Sequence, residues 1–148
     1  MSRLLGAFHL EEPLRRRLEG GLATFTTCAG LILLSRSILD GRAGQLALGA
    51  LDLGVRRNGY GSQVDSFEAD LEVPELGDRP FRGVFIRAPV IEQTGASVEV
   101  LARFGGAPVM VRQGSHIALT FHPEMTGDDR IHRLFLDCLE RTSSEDAA

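Results

Sequence analysis

The stretch that most constrains the fold is residues 22–39, LATFTTCAGLILLSRSIL. Leu22 to Thr27 is apolar and β-branched, which reads as a short buried strand. Gly30 to Leu39 has the length and apolar content of a helix. The change of period falls across a cysteine set among small residues. The result is a strand–turn–helix unit with Cys28 at its corner, and such a unit needs further strands beside it to bury both of its faces.

The rest of the chain supplies them. Leu10 to Leu18 reads as an amphipathic helix with Glu11, Glu12, Arg15, Arg16 and Arg17 on its polar side, stopped by Gly20-Gly21. Ala47 to Val55 reads as a strand, followed by the polar loop "RRNGYGSQ". "SFEADLEV", Ser66 to Val73, alternates with period two, as a strand with one wet face does. "FRGVFIRAP" is a buried strand ended by Pro89. Val98 to Phe104 and Pro108 to Gln113 form a hairpin around "GGAP", and Ile117 to Phe121 is another strand. From Asp128 to Arg141, residues Ile131, Leu134, Phe135, Cys138 and Leu139 fall on one helical stripe. This order predicts one three-layer α/β domain over residues 1–148, with a frayed tail from 142. Opening on a helix is unusual for that architecture.

Composition removes several functions. A net charge of −4 argues against a nucleic-acid binder, which carries a basic stripe. No apolar run reaches the ~20 residues that span a membrane. Two cysteines make no disulfide framework, so a reducing, cytoplasmic setting is expected.

The candidate chemistry lies at strand ends. "T-x-C-x-G" between strand and helix has the small-x-nucleophile-x-small form of a nucleophile elbow. A buried packing role for Cys28 is the alternative, because free cysteine is among the most buried residue types. A nucleophilic thiol needs a base and the base an orienter. Of four histidines, His9 and His132 read as surface residues and His116, in "QGSH", as a solvated turn residue. His122 follows the apolar run "IALTF", and in an extended segment it shares a side with Glu124. A carboxylate there would fix the imidazole tautomer; the alternative is a strand-end histidine beside a solvated glutamate. Cys28, His122 and Glu124 lack the paired spacing of metal ligands, so no metal is expected.

"TCAGLILL", "RRNGYGSQVDSFEADL", "GVFIRAP" and "FHPEMTGDDRIHRLF" together resemble the glutaminase subunit family of pyridoxal 5′-phosphate synthase, within the class I (triad) glutamine amidotransferases. The resemblance runs from Met1 to about Leu139. It implies a flavodoxin-like α/β/α domain with a mixed sheet, and no cofactor. It also implies hydrolysis of L-glutamine to glutamate and ammonia, with the ammonia passed to a synthase partner. By motif, Cys28 is the implied nucleophile, His122 the general base and acid, and Glu124 the orienter. Arg57, Ile86 and Arg87 match positions that contact glutamine, and the backbone of Ala29 matches oxyanion support. Surface charge is the plain alternative for both arginines. The chain departs from the family in starting after its first strand–helix–strand and glycine-rich "PGGEST"-type loop, which implies an N-terminally shortened form. It also carries Thr26 where the family has glycine and Ser62 where the family has arginine. Two further readings stand beside the glutaminase: a catalytically weak subunit that docks on the synthase, and a peptidase-like α/β relative, which "VDSFEADL" and "FIRAP" disfavour.

Overall fold

The computed structural model describes residues 1–57 and 66–145, with side chains to residue 140. Two helices open the chain, α1 (Ser2–Ala7) and α2 (Glu11–Glu19). In α2, Glu11 and Glu12 sit in the first turn and Arg16 and Arg17 in the last, each sign at the helix end whose dipole favours it. Gly21, at φ 86°, ends the helix in a conformation only glycine adopts freely. Then come β1 (Thr24–Thr27) and α3 (Ala29–Leu34), the expected strand–turn–helix.

Here the structure departs from the periodicity reading. The helix ends at Leu34, and Ser35–Ile38 is a strand, β2. Ser35 is fully buried and its hydroxyl donates to the Ile32 carbonyl at 2.7 Å, closing the last turn. The following residues pair in parallel with β3 (Leu51–Arg56). An apolar run of this length serves helix or strand equally, and the neighbouring strand decides.

The remaining strands are β4 (Ser66–Leu71), β5 (Phe81–Ile86), β6 (Val90–Thr94), β7 (Glu99–Phe104), β8 (Ala107–Gln113) and β9 (His116–Leu119). The sequence reading missed β6. It pairs antiparallel with β3, so β2-β3-β6 is a mixed sheet. The β7–β8 hairpin turns on Gly105 and Gly106, both at positive φ (57° and 84°), as a two-residue turn matched to strand twist requires. The last helix, α4 (Arg130–Glu145), runs on past Arg141.

The sheet β1-β9-β8-β7 is also mixed, with β1 parallel to β9 and the other pairs antiparallel. Its two faces are buried against different partners. On β9, Ile117 and Leu119 join a cluster with Phe81, Phe85, Phe121 and the α4 residues Ile131, Leu134 and Cys138. Ala118, between them, faces a second cluster with Leu18 of α2, Leu31 and Leu34 of α3, and Leu51, Leu53 and Val55 of β3. Period-two alternation on a strand buried on both sides thus produces the layered α/β fold. Among the described residues, no helix is long and apolar enough to cross a membrane.

Candidate active site

β1 and β9 lie side by side and run the same way, in the register Thr27↔Leu119. Both point their carboxyl ends to one edge, where ligand sites in such sheets gather. Cys28 is the first residue beyond β1, and its N–H donates to the Leu119 carbonyl at 2.8 Å, extending the ladder by one bond. His122 stands three residues beyond Leu119, and its N–H donates to the Val84 carbonyl of β5 at 2.8 Å. The Cys28 sulfur lies 3.9 Å from the next outward carbonyl of β5, that of Ile86. The end of β5 is therefore shared by cysteine and histidine.

The backbone is strained at two points here. Cys28 has φ 47° and ψ −105°, and Arg87 has φ 43°. Side-chain-bearing residues held there cost of order 1–3 kcal/mol each and cluster at functional sites. A packing role for Cys28 would not call for such a backbone. The turn is also crowded: a Cβ on Gly30 would come 3.1 Å from the Thr26 Cβ. Thr26 meets that crowding with its methyl side. Its hydroxyl is buried with no hydrogen-bond partner among the described residues.

The thiol is held protonated at rest. Burial pushes its pKa above the ordinary thiol range, and the negative charge of Glu124 adds to this. The Ala29 N–H, which donates to the sulfur, and the cationic Arg87 pull the other way without overcoming burial. The nucleophilic thiolate form must then be generated by a base. His122 Nδ1 lies 2.6 Å from Glu124 Oε1. An ionised carboxylate only accepts, so Nδ1 carries the proton and Nε2 is left with its lone pair. His122 is 20% and Glu124 49% exposed, so the carboxylate is half in solvent. Pro123 sits in a single 3-10 turn, Pro123–Met125, which brings the two side chains together.

The other sequence-derived positions fall nearby. Ile86 and Arg87 close β5 against the thiol. Arg57 follows β3 and shares a cavity of about 200 Å³ with Ala29, Ile32, Gln45 and Leu46. Ser62 lies outside the described residues. Sequence reasoning missed the two residues that hold Arg57. The Arg57 N–H donates to Asp40 Oδ1 at 2.8 Å, and its Nη1 donates to Gln45 Oε1 at 3.2 Å. Both belong to the turn "DGRAGQ", whose only advance signal was two polar residues in a glycine-rich connection. His116 also differs from expectation. It is half-buried, pairs with the Thr24 hydroxyl at 2.8 Å, and has its pKa lowered by burial. It marks the amino ends of β1 and β9, opposite the cysteine. Among the described residues, no group of His, Cys, Asp and Glu side chains is placed to hold a metal.

The chain is similar to known proteins in sequence and in fold. The model of the SNO glutamine amidotransferase family matches residues 1–141. The chain is 54% identical over 144 residues to the pyridoxal 5′-phosphate synthase subunit PdxT of Frankia alni, covering 97% of this chain and 72% of that relative. It is 57% identical over 137 residues to the subunit of the same name from Pelotomaculum thermopropionicum, covering 93% and 69%. A solved glutamine amidotransferase superposes with a TM-score of 0.84 at 50% identity, over 93% of this chain and 71% of that one.

Proposed function

The chain belongs to the SNO glutamine amidotransferase family, as a glutaminase of the pyridoxal 5′-phosphate synthase type, and on that premise we propose that Cys28, His122 and Glu124 are the triad that releases its ammonia. The observation that carries this is that the strained cysteine beyond β1 and the carboxylate-held histidine beyond the adjacent parallel β9 both meet the end of β5.

The steps follow from the protonation states. His122 Nε2 takes the proton from the Cys28 thiol, and the thiolate attacks the side-chain amide carbon of L-glutamine. Glu124 stays ionised and stabilises the imidazolium. The amide oxygen becomes an oxyanion, toward which the Ala29 N–H is offered as a donor. His122 returns its proton to the leaving nitrogen, ammonia departs, and a glutamyl thioester remains on Cys28. Water, deprotonated by His122, then adds to the thioester. Collapse releases glutamate and restores the thiol. Arg57 receives the α-carboxylate through charge-assisted hydrogen bonds, and the Ile86–Arg87 turn lies along the substrate. The ammonia passes to a synthase subunit, and a reducing cytoplasm keeps Cys28 and Cys138 as free thiols.

The test is glutamate release from L-glutamine by the chain together with a synthase subunit, beside Cys28→Ala. Loss of release in the variant, with complex formation intact, is expected. Equal inactivity of both chains in an intact complex would instead establish the docking-subunit reading.

A further inference from the structure

Arg57 is held by a residue to which the triad gives no part. Its Nη1 donates to Gln45 Oε1 at 3.2 Å, and the same oxygen lies 3.3 Å from the Arg42 N–H, which also donates to it. Two donors converging on one atom fix the amide: the oxygen faces Arg57 and the nitrogen faces away. Gln45 is itself anchored. Its N–H donates to the Arg42 carbonyl at 3.0 Å, and the next N–H, of Leu46, donates to the Ser2 hydroxyl at 3.1 Å. Asp40, earlier in the same turn, holds the Arg57 backbone. Gln45 and Arg57 both line the cavity that reaches Ala29, the neighbour of the nucleophile.

The chemistry of this contact is selective. A neutral amide oxygen binds one N–H of the guanidinium and leaves its full positive charge and its remaining donors for an anion. A carboxylate at position 45 would hold the arginine as firmly and neutralise it.

We propose that Gln45 is the positioning residue that aims Arg57 at the α-carboxylate of the amino-acid substrate while keeping its charge free. This rests on the glutaminase reading above. It places substrate recognition in the turn before β3, away from the triad.

The experiment is a double-mutant cycle on glutamate release, measured with the synthase subunit present. Gln45→Ala and Gln45→Glu are each made in the wild-type and in the Arg57→Ala background. In the wild-type background both raise KM for L-glutamine by about tenfold or more, Gln45→Ala through loss of one hydrogen bond to a charged group and Gln45→Glu through neutralisation of the Arg57 charge. Both leave kcat within about twofold, because Gln45 touches no reacting atom. In the Arg57→Ala background neither changes KM further. Gln45→Glu is the discriminating variant: it keeps an acceptor for Arg42 and Arg57, so a purely structural role predicts wild-type KM. A wild-type KM in Gln45→Glu, or equal KM changes in both backgrounds, overturns the proposal. If wild type releases no more glutamate than Cys28→Ala, the glutaminase reading itself fails; turnover without the Arg57-dependent effect defeats only the role of Gln45.

Discussion

At the scale of single residues, the site is governed by burial more than by charge. The Cys28 thiol is pushed up because desolvation and the Glu124 charge outweigh the Ala29 amide and Arg87. Alkylation by iodoacetamide goes through the thiolate, so its rate in the resting protein will rise with pH along a curve displaced to higher pH than that of a free cysteine. A curve displaced to lower pH would contradict the resting thiol described above. The displacement belongs to Cys28, because Cys138 is buried in the core. Thr26 gives a second prediction. Its hydroxyl, without a partner among the described residues, carries a desolvation cost that Thr26→Val removes while keeping the β-branched shape. The variant is expected to gain about 1 kcal/mol in chemical denaturation; a loss of stability would mean that the hydroxyl has found a partner.

At the scale of elements, the clearest device is the start of α4. Arg130 donates to both oxygens of Asp128 and to the carbonyls of Leu76, Arg79 and Pro80, tying the helix to the turn before β5. The Arg130 hydrogen bonds hold the Asp128 pKa down to about 2. A carboxyl with a depressed folded pKa stabilises the fold above its unfolded pKa, and that contribution is lost as pH falls through the folded one. The melting-temperature difference between wild type and Asp128→Asn should therefore be constant well above the unfolded pKa of 3.8, shrink as pH falls through about 2, and close below that. A difference independent of pH would remove the charge from the explanation.

The same scale shows where the sequence was legible. Elements whose period came with a chemical stop were found nearly in place: α2 before Gly20-Gly21, β4 in "SFEADL", the hairpin at Gly105-Gly106 and the stripe of α4. β2 and β6 were not, because each exists by virtue of β3 between them, and Ser35–Ile38 alone has no strand signature. The candidate triad was legible because its members sit at period changes, Cys28 at a strand–helix corner and His122 where an apolar run meets proline. Asp40 and Gln45 were illegible, because a turn residue shows its partner only when the chain is folded.

At the scale of the whole molecule, the two clusters on either face of β1-β9-β8-β7 hold in place the edge that carries Cys28 and His122. Phe121 is fully buried in the first of them. Its ring packs 5.5 Å from Phe85 and 6.0 Å from Phe81, and the next residue is His122. Phe121→Ala is expected to cost about 3–5 kcal/mol in denaturant unfolding, in the range for large core truncations. It should also lower glutamate release in the molecules that remain folded, since the residue joined to His122 loses its anchorage on Phe81 and Phe85. Full activity per folded molecule would show that the Val84 carbonyl alone sets the histidine.

The amide of Cys28 is bonded to the carbonyl of Leu119, one step past the last pair of the β1–β9 ladder. That proton is accordingly a substrate-free reporter. Its exchange with deuterated water requires β1 and β9 to part, and its rate gives the free energy of that parting directly. Thr26 and Cys28, two residues apart and with their amides on the β9 side of the strand, should exchange together, as one opening unit. Inhibitors that bridge the two strand ends should slow both amides alike, so the candidate site carries its own gauge of occupancy in the backbone of Cys28.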